Sequence, residues 1–169
     1  PDGGGVQDMT LFCFDSYGLF TTTVEAKVTP TGNGAGLTGN FEAEVPENTR
    51  TVHFLANQNM SEFKEDKFRN KSEAEVMALL EGSSGRMIYW ARFTCDPDND
   101  SKIDAQMADK GNTIKMIRNH AQVSIDNPIN GWIEVTGFVA YNTNAFGTVA
   151  PYHPEKGFDF EWPGEDDPF

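Results

Sequence analysis

The feature that most limits the fold of this chain is a set of apolar segments, each about as long as one β-strand. MTLFCF (9–14) is apolar at nearly every position, and TVHFLA (51–56) places Val52, Phe54 and Ala56 on one face and its other three residues on the opposite face. Because successive side chains of a strand alternate between the two faces of a sheet, such runs predict strands covered on both sides. We therefore expect a mainly β fold.

Further strand patterns follow, and turn residues separate them. DSYG (15–18) predicts a turn between the first strand and LFTTTVEAKV, which makes the two a hairpin. In the second of these strands one face would carry Phe20, Val24, Ala26 and Val28. The remaining strand patterns are FEAEVP (41–46), RMIYWARFTC (86–95), NTIKMIRNHAQVSID (112–126) and WIEVTGFVAYN (132–142). Helices are too few for alternating βαβ units, so we expect an antiparallel Greek-key β-sandwich of about seven strands.

One segment between the strands has the period of a helix. Ser72 and Glu75 have the spacing of a capping box. The apolar stripe after them, which ends at Gly82, consists of Val76, Met77, Leu79 and Leu80. The charged segment SEFKEDKFRNK (61–71) is either a linker or a frayed helical turn. We expect one amphipathic helix, inserted into the sandwich and packed on the sheet.

Length and charge limit the classes of partner. The 169 residues are enough for one domain, 1–169, and the four prolines in its last part predict an extended tail at 143–169. With 26 acidic and 13 basic residues the net charge of −13 repels phosphate backbones and anionic lipid surfaces. Apolar runs fall far short of the roughly 20 residues that span a bilayer. We expect no nucleic-acid partner, no membrane contact by this domain itself, and no signal peptide in PDGGGVQD.

The two cysteines, Cys13 and Cys95, are too few for a disulfide framework and are not spaced as metal ligands. Cys13 lies within an apolar strand pattern. We expect buried free thiols rather than a bridge.

The segment that most resembles a cation site is DPDNDSKID (96–104). Its first acidic residues have the spacing of positions 1, 3 and 5 in a calcium-binding helix-loop-helix. Ser101 replaces the glycine of position six, however, and Met107 replaces the bidentate carboxylate of position twelve. The alternatives are a solvated acidic turn between two strands and a weak calcium site. The candidate ligands of that site are Asp96, Asp98, Asp100 and Asp104.

Catalytic groups are hard to assemble from this sequence. His53, His120 and His153 have no metal-ligand spacing, and the first two occupy strand positions where an imidazole commonly bonds its neighbours. GSSGR (82–86) lacks the lysine of a phosphate loop, and its serines lack a nucleophile elbow. We interpret His53 as a scaffold residue and expect neither catalysis nor a cofactor.

Aromatic residues support a second class of function. Trp132 follows the turn sequence PING and, together with Tyr141, is a candidate for stacking on sugar rings. Strand aromatics more often belong to a core, but these two residues leave a second function open. That alternative is a carbohydrate-binding β-sandwich module of a surface lipoprotein.

Four phrases of the sequence share a strand pattern with one known family. In order, they are MTLFCFDSYGLFTTTV, RTVHFLANQN, IRNHAQVSID and VTGFVAYNTNAFGTVAPY. Together they resemble the fimbrillin family of Bacteroidetes, which comprises the major and minor pilins, tip subunits and anchor lipoproteins of surface fimbriae. They correspond to its opening strand and hairpin, its strand ending in Ala-Asn, its Arg-Asn-x-Ala-x-Val strand, and its Gly-Phe strand followed by an Asn-rich turn. The resemblance covers nearly the whole chain.

The resemblance implies a transthyretin-like β-sandwich, here the N-terminal domain of a longer two-domain subunit. It also implies export, an upstream lipid anchor and a place in a fimbrium at the cell surface or outer membrane. The partners would be other fimbrial subunits, bound by β-strand addition, and a host protein or glycan receptor. Pilins of the family are cut after an arginine, but the first arginine here, Arg50, lies in a predicted core strand. The residues expected to maintain the sandwich interior are Leu11, Phe54, Val123 and Val139.

Overall fold

The computed structural model describes residues 5–30, 38–61, 63–82, 87–119, 137, 139, 147–151 and 157–158, with the backbone alone at 81–82 and 147–148. The strands are β1 (Met9–Phe14), β2 (Phe20–Pro30), β3 (Gly39–Glu42), β4 (Thr51–Ala56), β5 (Glu81–Gly82), β6 (Tyr89–Thr94), β7 (Ile117–Arg118) and β8 (Gly147–Thr148). The helices are a 3-10 helix (Glu65–Lys67), α1 (Glu73–Ala78) and α2 (Ile103–Asp109).

The main sheet has six strands in the order β3-β2-β1-β4-β6-β7, and β5 pairs with β8 in a separate two-stranded sheet. Every pairing between these strands is antiparallel. The described part of the chain is therefore mainly β, as the strand patterns predict. β1 and β4 lie side by side in the middle of the sheet, which explains why all six residues of each are buried.

The sheet separates two hydrophobic cores, because alternate residues of β1 and β4 belong to different ones. The core that includes residues of α1, here called the α1-side core, consists of Phe12, Phe14, Phe20, Leu55, Phe68, Val76, Met77, Leu80, Ile88, Trp90, Val149, Ala150 and Phe158. The core that includes the first residue of α2, here called the α2-side core, consists of Met9, Leu11, Cys13, Val52, Phe54, Ala56, Ala91, Phe93, Cys95 and Ile103. Leu11 and Phe54 are thus interior residues, as expected.

The predicted hairpin joins β1 and β2. Asp15 closes its turn, since its side-chain oxygen accepts from the N–H groups of Tyr17 and Leu19, and Gly18 has the positive φ of 71° that the turn requires. The expectation that Phe20 shares a face with Val24, Ala26 and Val28 is wrong. The register shifts where Cys13 pairs with Thr22 and Phe14 pairs with Phe20, which leaves Thr21 as an extra residue. This bulge reverses the alternation, so Phe20 joins the α1-side core.

The predicted helix is present but shorter than expected. The capping box of Ser72 and Glu75 is formed, and Val76, Met77 and Leu80 are buried. Leu79 lies just past the last helical residue and is 42% exposed, so its place in the buried stripe is corrected. Gly82 does not end the helix, because the chain has already entered β5. Before α1, the 3-10 helix confirms a helical turn within 61–71.

A second helix, α2, corrects the expectation of a single helix and of an acidic turn between two strands. The acidic segment follows β6 and leads into α2. Ile103 and Gln106 are buried and Met107 packs on the α2-side core. This i, i+3, i+4 spacing occupies less than two turns, which is too short to give a clear helical period in the sequence.

The second half of the chain is described only in part. Val123 lies outside the described residues, whereas Val139 is 72% exposed, which corrects its prediction as an interior residue. Alternation groups residues on one face but does not determine whether that face is covered. The described residues of the tail form β8 and bury Val149, Ala150 and Phe158 in the α1-side core. None of the described helices has the length and apolar composition to cross a bilayer.

Candidate functional site

His53 is a fully buried ionisable group and is the centre of a polar network. It lies on β4, faces the α1-side core and has no exposed surface. The indole Nε1–H of Trp90 donates to its Nδ1 at 2.9 Å, and its Nε2 lies 2.6 Å from Oε1 of Glu73. Since Nδ1 accepts a hydrogen bond, Nε2 carries the proton and donates to the carboxylate. The imidazole is therefore neutral, in a single tautomer.

Glu73 joins this histidine to an arginine. It is the first residue of α1, where its negative charge is also favourable for the helix dipole. Arg92 on β6 donates from Nε to Oε1 of Glu73 at 2.5 Å and from Nη2 to Oε2 at 3.2 Å, a two-pronged contact. Arg92 stands directly opposite His53 in the β4–β6 register. We call His53, Glu73, Trp90 and Arg92 the His53 network.

Aromatic rings surround the imidazole. Phe14 of β1 lies 5.5 Å from it and Phe158 lies 4.9 Å from it, measured between ring centroids, and both meet it edge-on. Trp90 is 5.7 Å away. The network therefore links α1 to β4 and β6, with its imidazole inside an apolar shell.

Protonation of the network follows from this burial. Burial lowers the pKa of His53, and this effect outweighs the opposing influence of Glu73. Burial alone would raise the pKa of Glu73, but hydrogen bonds from His53 and Arg92 bring that pKa down to about 2. At neutral pH the network holds a neutral imidazole, one carboxylate and one guanidinium, so its net charge is zero.

A histidine beside a glutamate is also found in catalytic sites, where the carboxylate orients the histidine as a general base. Here both nitrogens of the ring are already bonded, one to Trp90 and one to Glu73. A base needs a nitrogen that reaches its substrate, and this ring is fully covered. The geometry agrees with the interpretation of His53 as a scaffold residue.

The partners of His53 were not identified from the sequence. Glu73 has the pattern of an ordinary first-turn acidic residue, and Trp90 that of a core aromatic. Arg92 offered the one signal, because it is a lone charge within the apolar run MIYWARF. A charge in such a position needs a buried partner.

The acidic segment after β6 is arranged around a neutral side chain. Asp96, Asp98, Asp100 and Asp104 are all exposed. Within the described ranges no group of three or more potential metal-ligating side chains comes together. The calcium site at these four residues stays a prediction.

Gln106 of α2 occupies the interior of this segment. Its side-chain oxygen accepts from the N–H of Asp96 at 2.8 Å, and its amide nitrogen donates to the carbonyl oxygens of Asn99 and Ser101 at 3.0 and 2.9 Å. Arg50 also donates to the carbonyl of Ser101, at 2.9 Å. Main-chain oxygens that a cation could use are thus engaged by the protein itself.

Both cysteines are buried free thiols, as expected. Cys13 pairs with Val52 on β4, and Val52 pairs with Phe93 on β6. Cys13 and the end of β6 are therefore two strand spacings apart, about 9–10 Å, beyond the roughly 7 Å that a disulfide spans between Cα atoms. Burial raises the pKa of Cys13 to about 11, although the Thr49 hydroxyl lowers it slightly. A thiol of this kind is unreactive.

The other predicted site residues lie outside the described residues. They are the histidines His120 and His153 and the sugar-stacking candidates Trp132 and Tyr141. Comparison with known proteins found no matching family model, no matching curated protein and no matching solved structure.

Proposed function

We propose that this chain is a non-enzymatic structural or adhesive subunit of a cell-surface fimbria, with a transthyretin-like Greek-key β-sandwich as its domain fold. The observation that carries the proposal is an antiparallel sheet whose central strands, β1 and β4, are buried along their whole length on both faces. The four phrases that resemble the fimbrillin family are the reason for proposing a fimbrial role in particular. Two of them, MTLFCFDSYGLFTTTV and RTVHFLANQN, include the hairpin and β4.

The His53 network supports a mechanical role for the domain. It ties α1 to β4 and β6 through hydrogen bonds that engage both ring nitrogens of His53. Such a cross-link would slow the separation of α1 from the sheet, and resistance to forced unfolding is governed by the unfolding rate.

Assembly would proceed by β-strand addition to other fimbrial subunits. In that mode, main-chain hydrogen bonds give affinity and alternate side chains give register. The subunit would be exported, held at the outer membrane through an upstream lipid anchor, and exposed to a host protein or glycan receptor.

The test is immunogold electron microscopy of the producing cell with antibodies raised against this chain. We expect gold along surface filaments, with preimmune serum as the control. In parallel, purified full-length, processed protein should form polymers whose length increases with concentration. The proposal is ruled out if the purified protein stays monomeric and the filaments of the producing cells carry no gold.

A further inference from the structure

Within the part of the chain that the structure describes, the outer edge of β2 is paired along only part of its length. β2 pairs with β1 from Phe20 to Ala26, but β3 covers its other side only from Lys27 to Pro30. Among the strands that the structure describes, none pairs with the outer side between Thr21 and Ala26. An edge of this kind presents main-chain donors and acceptors that another strand can use.

The main chain of Thr23 points out of this edge. Its N–H donates to Oε1 of Glu65 at 2.8 Å rather than to β1. In an antiparallel strand the N–H and C=O of one residue point to the same side, and every second residue repeats that direction. Glu25 therefore also directs its main-chain groups outwards, and the side chain of Glu25 is exposed.

Glu65 covers the middle of the open edge. Besides the N–H of Thr23, its Oε1 accepts from the hydroxyl of Thr22 at 2.6 Å and from that of Thr23 at 3.2 Å. The hydrogen bonds from Thr22 and then Thr23 lower the pKa of Glu65. Its 3-10 helix is fixed in place by Phe68, which is fully buried in the α1-side core. Covering an edge strand with a helix or loop is a common means of preventing edge-to-edge pairing, and so is a charge at the edge.

We propose that the outer edge of β2 from Thr21 to Ala26 is a latent pairing surface for a second copy of this chain, and that Glu65 guards it. The edge is self-complementary. If two antiparallel copies are related by a two-fold axis at Val24, Glu25 of one copy lies opposite Thr23 of the other. The outward main-chain groups then meet and no two carboxylates are opposed. This pairing does not require the chain to be part of a fimbria.

The first test removes the guard. Sedimentation velocity is measured on wild type and on Glu65→Ala from low to high micromolar concentration. We expect the 169-residue wild-type chain to remain monomeric, since the polymers proposed above require the full-length, processed protein. Glu65→Ala should dimerise with an affinity at least about tenfold higher, because the carboxylate no longer occupies the N–H of Thr23. A Glu65→Ala chain that sediments as wild type overturns the proposal.

Two control variants separate the guard from net charge. Asp66→Ala removes the same charge one residue away, where the carboxylate pairs with Arg69 instead of β2. Glu65→Gln loses the charge but keeps an acceptor for the N–H of Thr23. Both are expected to sediment close to wild type. If Asp66→Ala dimerises as strongly as Glu65→Ala, the effect is general charge reduction and the proposal fails.

A proline tests where the copies meet. Because the N–H of Glu25 faces outwards, Glu25→Pro removes no hydrogen bond to β1 but prevents a strand from adding there. The double variant Glu65→Ala with Glu25→Pro should return to the monomer while it keeps the β-sheet circular dichroism of wild type. A folded double variant that still dimerises overturns the proposal.

Hydrogen exchange gives a second measurement without proline. The amides of Thr23 and Glu25 should gain protection when Glu65→Ala dimerises, and unchanged exchange at these amides contradicts the proposed interface.

Discussion

The two faces of the central sheet are fixed by polar contacts of different kinds. On the α1 side, the His53 network joins ionisable groups, so its hydrogen bonds depend on which of them carry protons. On the α2 side, the neutral amide of Gln106 holds the segment that follows β6. Both contacts involve β6: the first joins α1 to the middle of this strand, and the second joins α2 to the residues that follow its end. A helix is thus joined to the sheet by titratable groups on one face and by an amide that does not titrate on the other.

The largest expected effect comes from breaking the charge balance on the α1 side. Glu73→Ala leaves the imidazole N–H of His53 and the guanidinium of Arg92 without their acceptor. Removing one partner of a buried pair costs about 3–5 kcal/mol, and the partial exposure of this site reduces the expected loss to about 2–3 kcal/mol. Urea denaturation measures it.

Glu75→Ala is the matched control for Glu73→Ala, since Glu75 lies on the same helix and its carboxylate accepts from Ser72, outside the network. It should lose clearly less stability. Equal losses for the two variants would mean that Glu73 acts only as a helix-end charge, and the distinction between the two faces would then disappear.

The next effect in size is on the α2 side. Gln106→Ala leaves the N–H of Asp96 and the carbonyl oxygen of Asn99 without the bonds that Gln106 provides, and water replaces these bonds only in part. The carbonyl oxygen of Ser101 loses one of its two bonds and keeps the one from Arg50. We expect a loss of about 1–2 kcal/mol in the free energy of unfolding. This loss should be the same at pH 5.5 and pH 7, because no ionisable group changes. A loss that depends on pH would contradict the neutral character of this contact.

The pH dependence of wild type distinguishes the faces directly. The pKa of His53 is lowered in the folded chain, so the unfolded state binds more protons below its ordinary value of 6.5. Stability should therefore be complete above that value and fall as the pH decreases towards the lowered pKa, by at most about 1.4 kcal/mol per pH unit for one proton. Urea titrations of wild type and His53→Gln between pH 7 and pH 5 measure this slope. A slope retained in His53→Gln would assign it to other groups.

The sequence predicted the parts of the molecule whose cause is local. β1, β4, the Asp15 turn and the capping box of α1 follow from residues within a few positions of each other. The His53 network joins residues separated by 19 to 37 positions, and no local pattern brings them together. The bulge at Thr21 was missed because one extra residue leaves alternation intact on either side of it. The bulge turns Phe20 to the opposite face of the sheet, and this change can be seen only in the pairing with β1.

The smallest expected effect concerns calcium at the acidic segment. Asp96, Asp98, Asp100 and Asp104 are exposed, and Gln106 already engages the N–H of Asp96 and the carbonyls of Asn99 and Ser101. We therefore expect the melting temperature to differ by less than about 1 °C between excess calcium and EDTA. A site filled at one hundred times its dissociation constant would add about 2.7 kcal/mol, a shift of several degrees. If such a shift appears and is lost in Asp98→Asn, the segment is a calcium site, and the α2 side is then controlled by an ion where the α1 side is controlled by protons.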